Sequence, residues 1–180
     1  MLKPAYAYKE ELEKKFAEVV YNDDYFFYMG YPHGHEVPGI NVTDYYYQWA
    51  IIGKGYEQDS WDTGDGHVIY CDDETRPIEK VIGYFAYQIQ PEADTAMNFG
   101  LYSFDKGNPL VGHDVFRKMV ELLLNHRRLE WRVIGGNPVE KNYDWFCKKY
   151  GGNKVTLHSA VKDPHGGYRD EHIYEILRDA

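Results

Sequence analysis

Ala96-Met-Asn-Phe-Gly-Leu-Tyr-Ser-Phe-Asp-Lys-Gly-Asn-Pro-Leu-Val-Gly-His-Asp-Val-Phe-Arg-Lys-Met-Val120 is the stretch on which the fold turns. Residues 96–104 read as a strand, and Lys106 to Gly112 as a tight loop of Gly, Asn and Pro. The amphipathic helix that follows sets Val111, Val115, Met119, Leu122 and Leu123 at helical spacing. A short loop feeding a helix start aims backbone N–H groups at one point. The positive end of the helix dipole lies behind them, so the place suits a phosphate or pyrophosphate.

Outward from this unit the pattern stays regular on both sides. Upstream, Val81 to Ile89 is apolar on both faces, as a central strand is, and Pro91-Glu-Ala-Asp94 turns it into the next. His67 to Cys71 is a shorter strand, followed by a turn at Asp72–Pro77. A first helix is expected from about Ala5 to Val20, with Leu12, Phe16 and Val19/Val20 on one face. Between it and Gly66 lie aromatic clusters, Tyr25–Tyr28 and Tyr45–Trp49, around a loop from Gly30 to Gly39. Downstream, Leu129 to Ile134 is a strand and Gly135-Gly-Asn-Pro138 breaks it. Pro138 is placed to start a helix bearing Tyr143, Trp145/Phe146 and Tyr150, which Gly151-Gly152 stops. Lys154–Lys162 and Tyr168–Arg178 close the chain as two strands. The order predicts an α/β fold with a mixed sheet.

The chain has 180 residues, for which one domain with a substantial core is the default. Its net charge of −9 leaves no basic stripe to neutralise nucleic-acid phosphates, and mildly favours cationic small molecules or basic peptides. Two cysteines, Cys71 and Cys147, make no disulfide framework and fit a reducing compartment. The start Met-Leu-Lys-Pro-Ala-Tyr lacks the apolar run of a signal peptide, and no run is long enough for a bilayer. A cytoplasmic protein is expected, with neither nucleic acid nor membrane as a partner.

From about Ile78 to Leu177 the order of elements and the loop at Lys106–Gly112 resemble the GNAT N-acetyltransferase superfamily. The family's Q/R-x-x-G-x-G/A signature opens a long helix. Gly112 matches its final glycine, Val111 and Val115 match the apolar positions, and Gly107 and Leu110 occupy the Gln/Arg and middle-glycine places. A second family pattern, a strand then an asparagine then a helix ending in Y-x-x-x-G, is matched by Trp131–Asn137 and Lys148–Gly152. Gly166 to Ile176 looks like the family's final strand. The resemblance implies a single GNAT-like domain over 1–180, with a mostly antiparallel mixed sheet flanked by helices. Residues 1–66 would form the acceptor side and 67–180 the cofactor-binding part.

It further implies an N-acetyltransferase with acetyl-CoA as co-substrate. Tyr102, Ser103 and Phe104 would pair with the pantetheine arm. Lys106, Gly107, Asn108, Leu110, Val111, Gly112 and His113 would hold the pyrophosphate, and Asn137 would contact the cofactor. The proton donor to the departing thiolate falls on Tyr143 or Cys147, with the phenol preferred. A base is left open among Asp94, Asn98, Glu130 and His113. The expected acceptor is a primary amine on a small cationic molecule; a homodimer is compatible with this reading. The alternative is a catalytically inert CoA-binding or regulatory module of the same fold. His33, His35 and Glu36 could bind a metal but read better as a solvated loop, and no metal is expected. The acidic run Asp59, Asp62 and Asp65 lacks the full calcium-loop pattern and reads as a solvated turn.

Overall fold

The computed structural model describes residues 2–4, 8–19, 27–28, 67–71, 80–163 and 165–178. Among the described residues seven strands form one sheet in the order β1-β2-β3-β4-β5-β7-β6. They are β1 (Leu2–Pro4), β2 (His67–Cys71), β3 (Lys80–Gln90), β4 (Thr95–Ser103), β5 (Arg128–Ile134), β6 (Asn153–Lys162) and β7 (Tyr168–Leu177). Among the described residues three α-helices accompany them: α1 (Lys9–Val19), α2 (Pro109–Asn125) and α3 (Glu140–Lys149). All pairings are antiparallel except β4–β5, which is parallel and crosses over through α2. The mixed, mostly antiparallel sheet flanked by helices agrees with the sequence reading.

The helix and strand patterns explain the packing. Val111, Val115, Met119, Leu122 and Leu123 are buried along one stripe of α2, and each such side chain contributes on the order of 1.5–3 kcal/mol by leaving water. They join Phe85, Phe99, Leu129, Trp131, Phe146 and Tyr174 in one core. Trp131 and Tyr174 stack with an interplanar angle of 3° across β5 and β7. Leu12 and Phe16 of α1 are fully buried, and Glu11 Oε1 accepts from the Val81 N–H at the start of β3.

Two irregularities shape the sheet around β4. Against β3, the register shifts by one residue between the Ala86–Gly100 and Gln88–Met97 pairs, so β4 carries an extra residue there. Asn98 takes up the kink at φ 56°, a left-handed conformation that asparagine tolerates, and its Nδ2 donates to Gln88 Oε1 at 2.7 Å. Against β5, β4 pairs only through Thr95, Ala96 and Met97. Past the bulge the parallel strands diverge.

At the paired end the two strands are tied firmly. The Asp94 carbonyl accepts from the N–H groups of both Arg127 and Arg128. Its carboxylate meets His126 Nδ1 at 3.0 Å and the Arg127 N–H at 3.1 Å. The pair is therefore pinned at one end and open at the other. Among the described residues no helix is long and apolar enough to cross a membrane.

Candidate functional site

The open end of the β4–β5 pair leads into a cavity of about 740 Å³. Leu101, Tyr102 and Ser103 line it from the end of β4, where the strand has lost its β5 partner. The loop and the first turns of α2 add Lys106, Gly107, Asn108, Val111, Gly112 and His113. Asn137, Pro138 and Val139 come from the segment after β5, and Asn142 and Trp145 from α3. Tyr28, from the segment between α1 and β2, also lines it.

The loop is fixed before any ligand arrives. The N–H groups of Phe104 and Asp105 both donate to the Ile82 carbonyl of β3. Ser103 Oγ donates to the Asp105 carbonyl at 2.9 Å, and Asn108 Nδ2 to the Asp105 carboxylate at 3.2 Å. Gly107 turns the chain at φ 86°, where a side chain would be strained. Asn108 caps α2 by accepting from the Leu110 N–H at 3.1 Å, and Pro109 is the first helical residue. A Cβ added at Gly107 or Gly112 would meet nothing within 4 Å, so both leave room for an incoming group.

Nine of the eleven expected cofactor residues line the cavity: Tyr102, Ser103, Lys106, Gly107, Asn108, Val111, Gly112, His113 and Asn137. Phe104 and Leu110 do not. Phe104 packs edge-on against Phe16 at 5.3 Å, which turns it into the α1 contact. Leu110 is 42% exposed to solvent. The loop therefore accommodates a leucine in place of the family's middle glycine without losing the opening.

Neither expected proton donor lines the cavity. Tyr143 is 3% exposed and packs against Phe116, Trp131 and Tyr174, and burial pushes its phenol pKa up. Cys147 is buried with Sγ 3.4 Å from the Asn153 carbonyl, and burial followed by the nearby Asp144 charge raises its thiol pKa. A Cβ on Gly152 would lie 2.7 Å from that sulfur. The reason is helical phase: Tyr143, Phe146 and Cys147 form the buried stripe of α3, whereas Asn142 and Trp145 lie on its cavity side. The apolar spacing of that stripe was the signal that could have separated the two faces.

Two tyrosines do border the cavity, Tyr102 at the end of β4 and Tyr28, and a cation is bonded to the second. Arg169 Nη1 donates to the Tyr28 hydroxyl at 3.0 Å, and the guanidinium is in turn paired with the Asp163 carboxylate. The bond to Asp163 is the first cause holding the Arg169 pKa up. The contact between Arg169 and Tyr28 spans 141 positions in sequence. No local pattern announces it.

On its other side α3 is fastened to the β6–β7 pair by charges. Glu140 accepts from the Gly136 N–H at 3.0 Å and from Lys154 at 3.1 Å, and lies 3.0 Å from His172 Nε2. Asp144 accepts from Lys154 and from the Tyr174 hydroxyl, both at 2.7 Å. Burial opposes ionisation of both carboxylates, yet these donors outweigh it and hold both below their ordinary pKa. Asn137 Oδ1 accepts from the Val139 N–H at 3.1 Å, so the asparagine also shapes the entry to α3.

Of the candidate bases, His113 lies on the cavity, while Asp94, Asn98 and Glu130 do not line it. His33, His35, Glu36, Tyr45–Trp49 and the Asp59–Asp65 run lie outside the described residues. Among the described residues no group of three or more His, Cys, Asp or Glu is arranged to hold a metal ion.

No family model matches the sequence, and no curated protein matches it either. Solved structures do. A protein from Chromobacterium violaceum described as a probable acetyltransferase of the GNAT family matches at 17% identity and a TM-score of 0.60, covering 98% of this chain and 85% of its own. The ribosomal alpha-N-protein acetyltransferase RimL, in complex with coenzyme A, matches at 14% identity and 0.62, covering 97% and 90%. The microcin self-immunity acetyltransferase MccE, in complex with acetyl-CoA and AMP, matches at 18% identity and 0.59, covering 97% and 89%. Through nearly its whole length this chain has the fold of the GNAT acetyltransferases.

Proposed function

We propose that the chain is an N-acetyltransferase that moves an acetyl group from acetyl-CoA to a primary amine. The observation that carries this reading is the divergence of β4 from β5 beyond the Asn98 bulge, into a cavity rimmed by a preformed loop and helix start. The residues fit the co-substrate. β4 past Met97 offers backbone groups without a β5 partner to the amides of an extended pantetheine arm. Gly107 and Gly112 leave space for a diphosphate beside the positive end of α2. Lys106 adds a point charge, and Asn137 adds a side-chain amide to the lining.

Bound there, acetyl-CoA supplies a thioester carbonyl as the electrophile. β4 supplies N–H donors beside the gap, where the oxyanion develops. The acceptor must enter as a free amine, and an alkyl amine near pKa 10.4 gives up about 4.6 kcal/mol to lose its proton at pH 7. We assign proton donation to the leaving thiolate to Tyr28, whose hydroxyl Arg169 fixes at the cavity wall. Tyr143 and Cys147 receive no step. The acidic chain, with a net charge of −9, makes a small cationic amine the best-suited acceptor.

A second reading, an inert CoA-binding module, is favoured by the α2 cap. Asn108 already uses the Leu110 N–H and Pro109 has none, so the first turn offers fewer donors to an anion. One experiment separates the readings: thermal shifts with CoA and acetyl-CoA, followed by thiol release across an amine panel. Ligand at 100 times Kd stabilises by about 2.7 kcal/mol. No shift with either compound refutes CoA binding, and a shift without thiol release refutes the transferase.

A further inference from the structure

Trp145 is a large aromatic side chain that remains 58% exposed while bordering the cavity. Its neighbours Tyr143, Phe146 and Cys147 on α3 are all buried, so the indole is turned to the one face of the helix that packs on nothing in the core. Lys149, one helical turn later, places its ammonium 4.8 Å from the indole centroid and 5.3 Å from the Tyr150 ring. That contact restricts the rotation of the indole and presents it as a fixed plate. Among the described residues Lys149 makes no ion pair that would draw it away.

The cavity lining comes from three places: the diverging end of β4, Leu101 to Ser103, the loop and helix start from Lys106 to His113, and α3 with Asn142 and Trp145. Acetyl-CoA likewise has three parts, a thioester-bearing arm, a diphosphate and a purine base. A flat heteroaromatic base is the part of such a ligand that gains from an exposed indole, because every base has a π-face to stack.

We propose that Trp145, braced by Lys149, is the platform on which the purine base of the nucleotide end stacks. The inference rests on the acetyl-CoA reading above and names which side chain takes the far end of that ligand. It predicts that the cavity discriminates between ligands by the presence of the base, independently of the acyl group.

The test is calorimetric affinity for CoA and for 4′-phosphopantetheine, which lacks the nucleotide, measured on the wild type, Trp145→Ala and Trp145→Phe. A thermal melt of each variant checks folding, which an exposed side chain leaves intact. Trp145→Ala weakens CoA binding about 5- to 150-fold, the range for losing one base–aromatic stack, and leaves 4′-phosphopantetheine within twofold. Trp145→Phe recovers part of the loss, and the quenching of indole fluorescence on adding CoA disappears in both variants. Unchanged CoA affinity in Trp145→Ala, or an equal loss for both ligands, overturns the platform while leaving the cavity reading standing. A wild type that binds neither ligand overturns both.

Discussion

Gly112→Ala gives the clearest test, because it pushes stability and ligand binding in opposite directions. Gly112 is helical, and a Cβ built there meets no atom within 4 Å, so alanine adds no clash. Replacing an interior helical glycine with alanine gains about 1 kcal/mol through the unfolded chain's lost freedom. For a chain of 150–250 residues that raises Tm by roughly 2–4 °C. In the proposed acetyl-CoA reading, the same methyl projects where the diphosphate approaches the α2 amides. Losing one charge-assisted bond, worth about 1.5–3 kcal/mol, weakens binding on the order of 100-fold. Ligand held at 100 times the wild-type Kd then stabilises by about 0.4 instead of about 2.7 kcal/mol. By differential scanning fluorimetry, the ligand-induced rise falls from about 5–11 °C to about 1–2 °C, while the unliganded variant melts higher than the wild type. A higher unliganded Tm with an undiminished ligand shift would refute the placement of the diphosphate at Gly112.

Other substitutions probe the remaining parts of the site. Tyr28→Phe lowers kcat about 100-fold with CoA affinity held within twofold, as steady-state kinetics and calorimetry together show; an unchanged kcat removes Tyr28 from the proton path. Tyr143→Phe keeps kcat within about twofold because its hydroxyl serves no step, and a loss near 100-fold would return that phenol to the reaction centre. Lys154→Met leaves Glu140 and Asp144 without their shared cation and costs about 1–2 kcal/mol in urea unfolding, discounted because Asp144 is half exposed. The pH dependence follows from the same carboxylates. Glu140 and Asp144 titrate below their ordinary values of 4.5 and 3.8 in the folded chain, so their contribution is complete above those values. It is lost as pH falls through the lower folded values; urea midpoints that stayed flat from pH 5 to pH 2.5 would contradict it.

The strand-loop-helix unit was legible because each of its signals is local. Apolar spacing named the buried residues of α2, and the loop residues Lys106 to Asn108 announced a turn. Nine of the positions expected from that alignment line the cavity. Phe104 and Leu110 do not, since the direction of a side chain depends on which neighbour packs beside it: Phe16 of α1 for one, open solvent for the other. On α3, motif counting chose Tyr143 and Cys147, while the helix's own periodicity puts Asn142 and Trp145 toward the cavity. Tyr28 and Arg169 meet across most of the chain, and the register shift at Asn98 arises from pairing with β3. Neither leaves a trace in a local window.

The extra residue in β4 carries a wider consequence. A sheet judged by regularity alone would discard it, restore an unbroken ladder with β3, and let β4 run on beside β5 with its hydrogen bonds satisfied. Such a sheet would have lost its opening. Substitutions chosen only to raise the melting temperature near Asn98 and Gln88 therefore work against the vacancy that makes this sheet more than a scaffold.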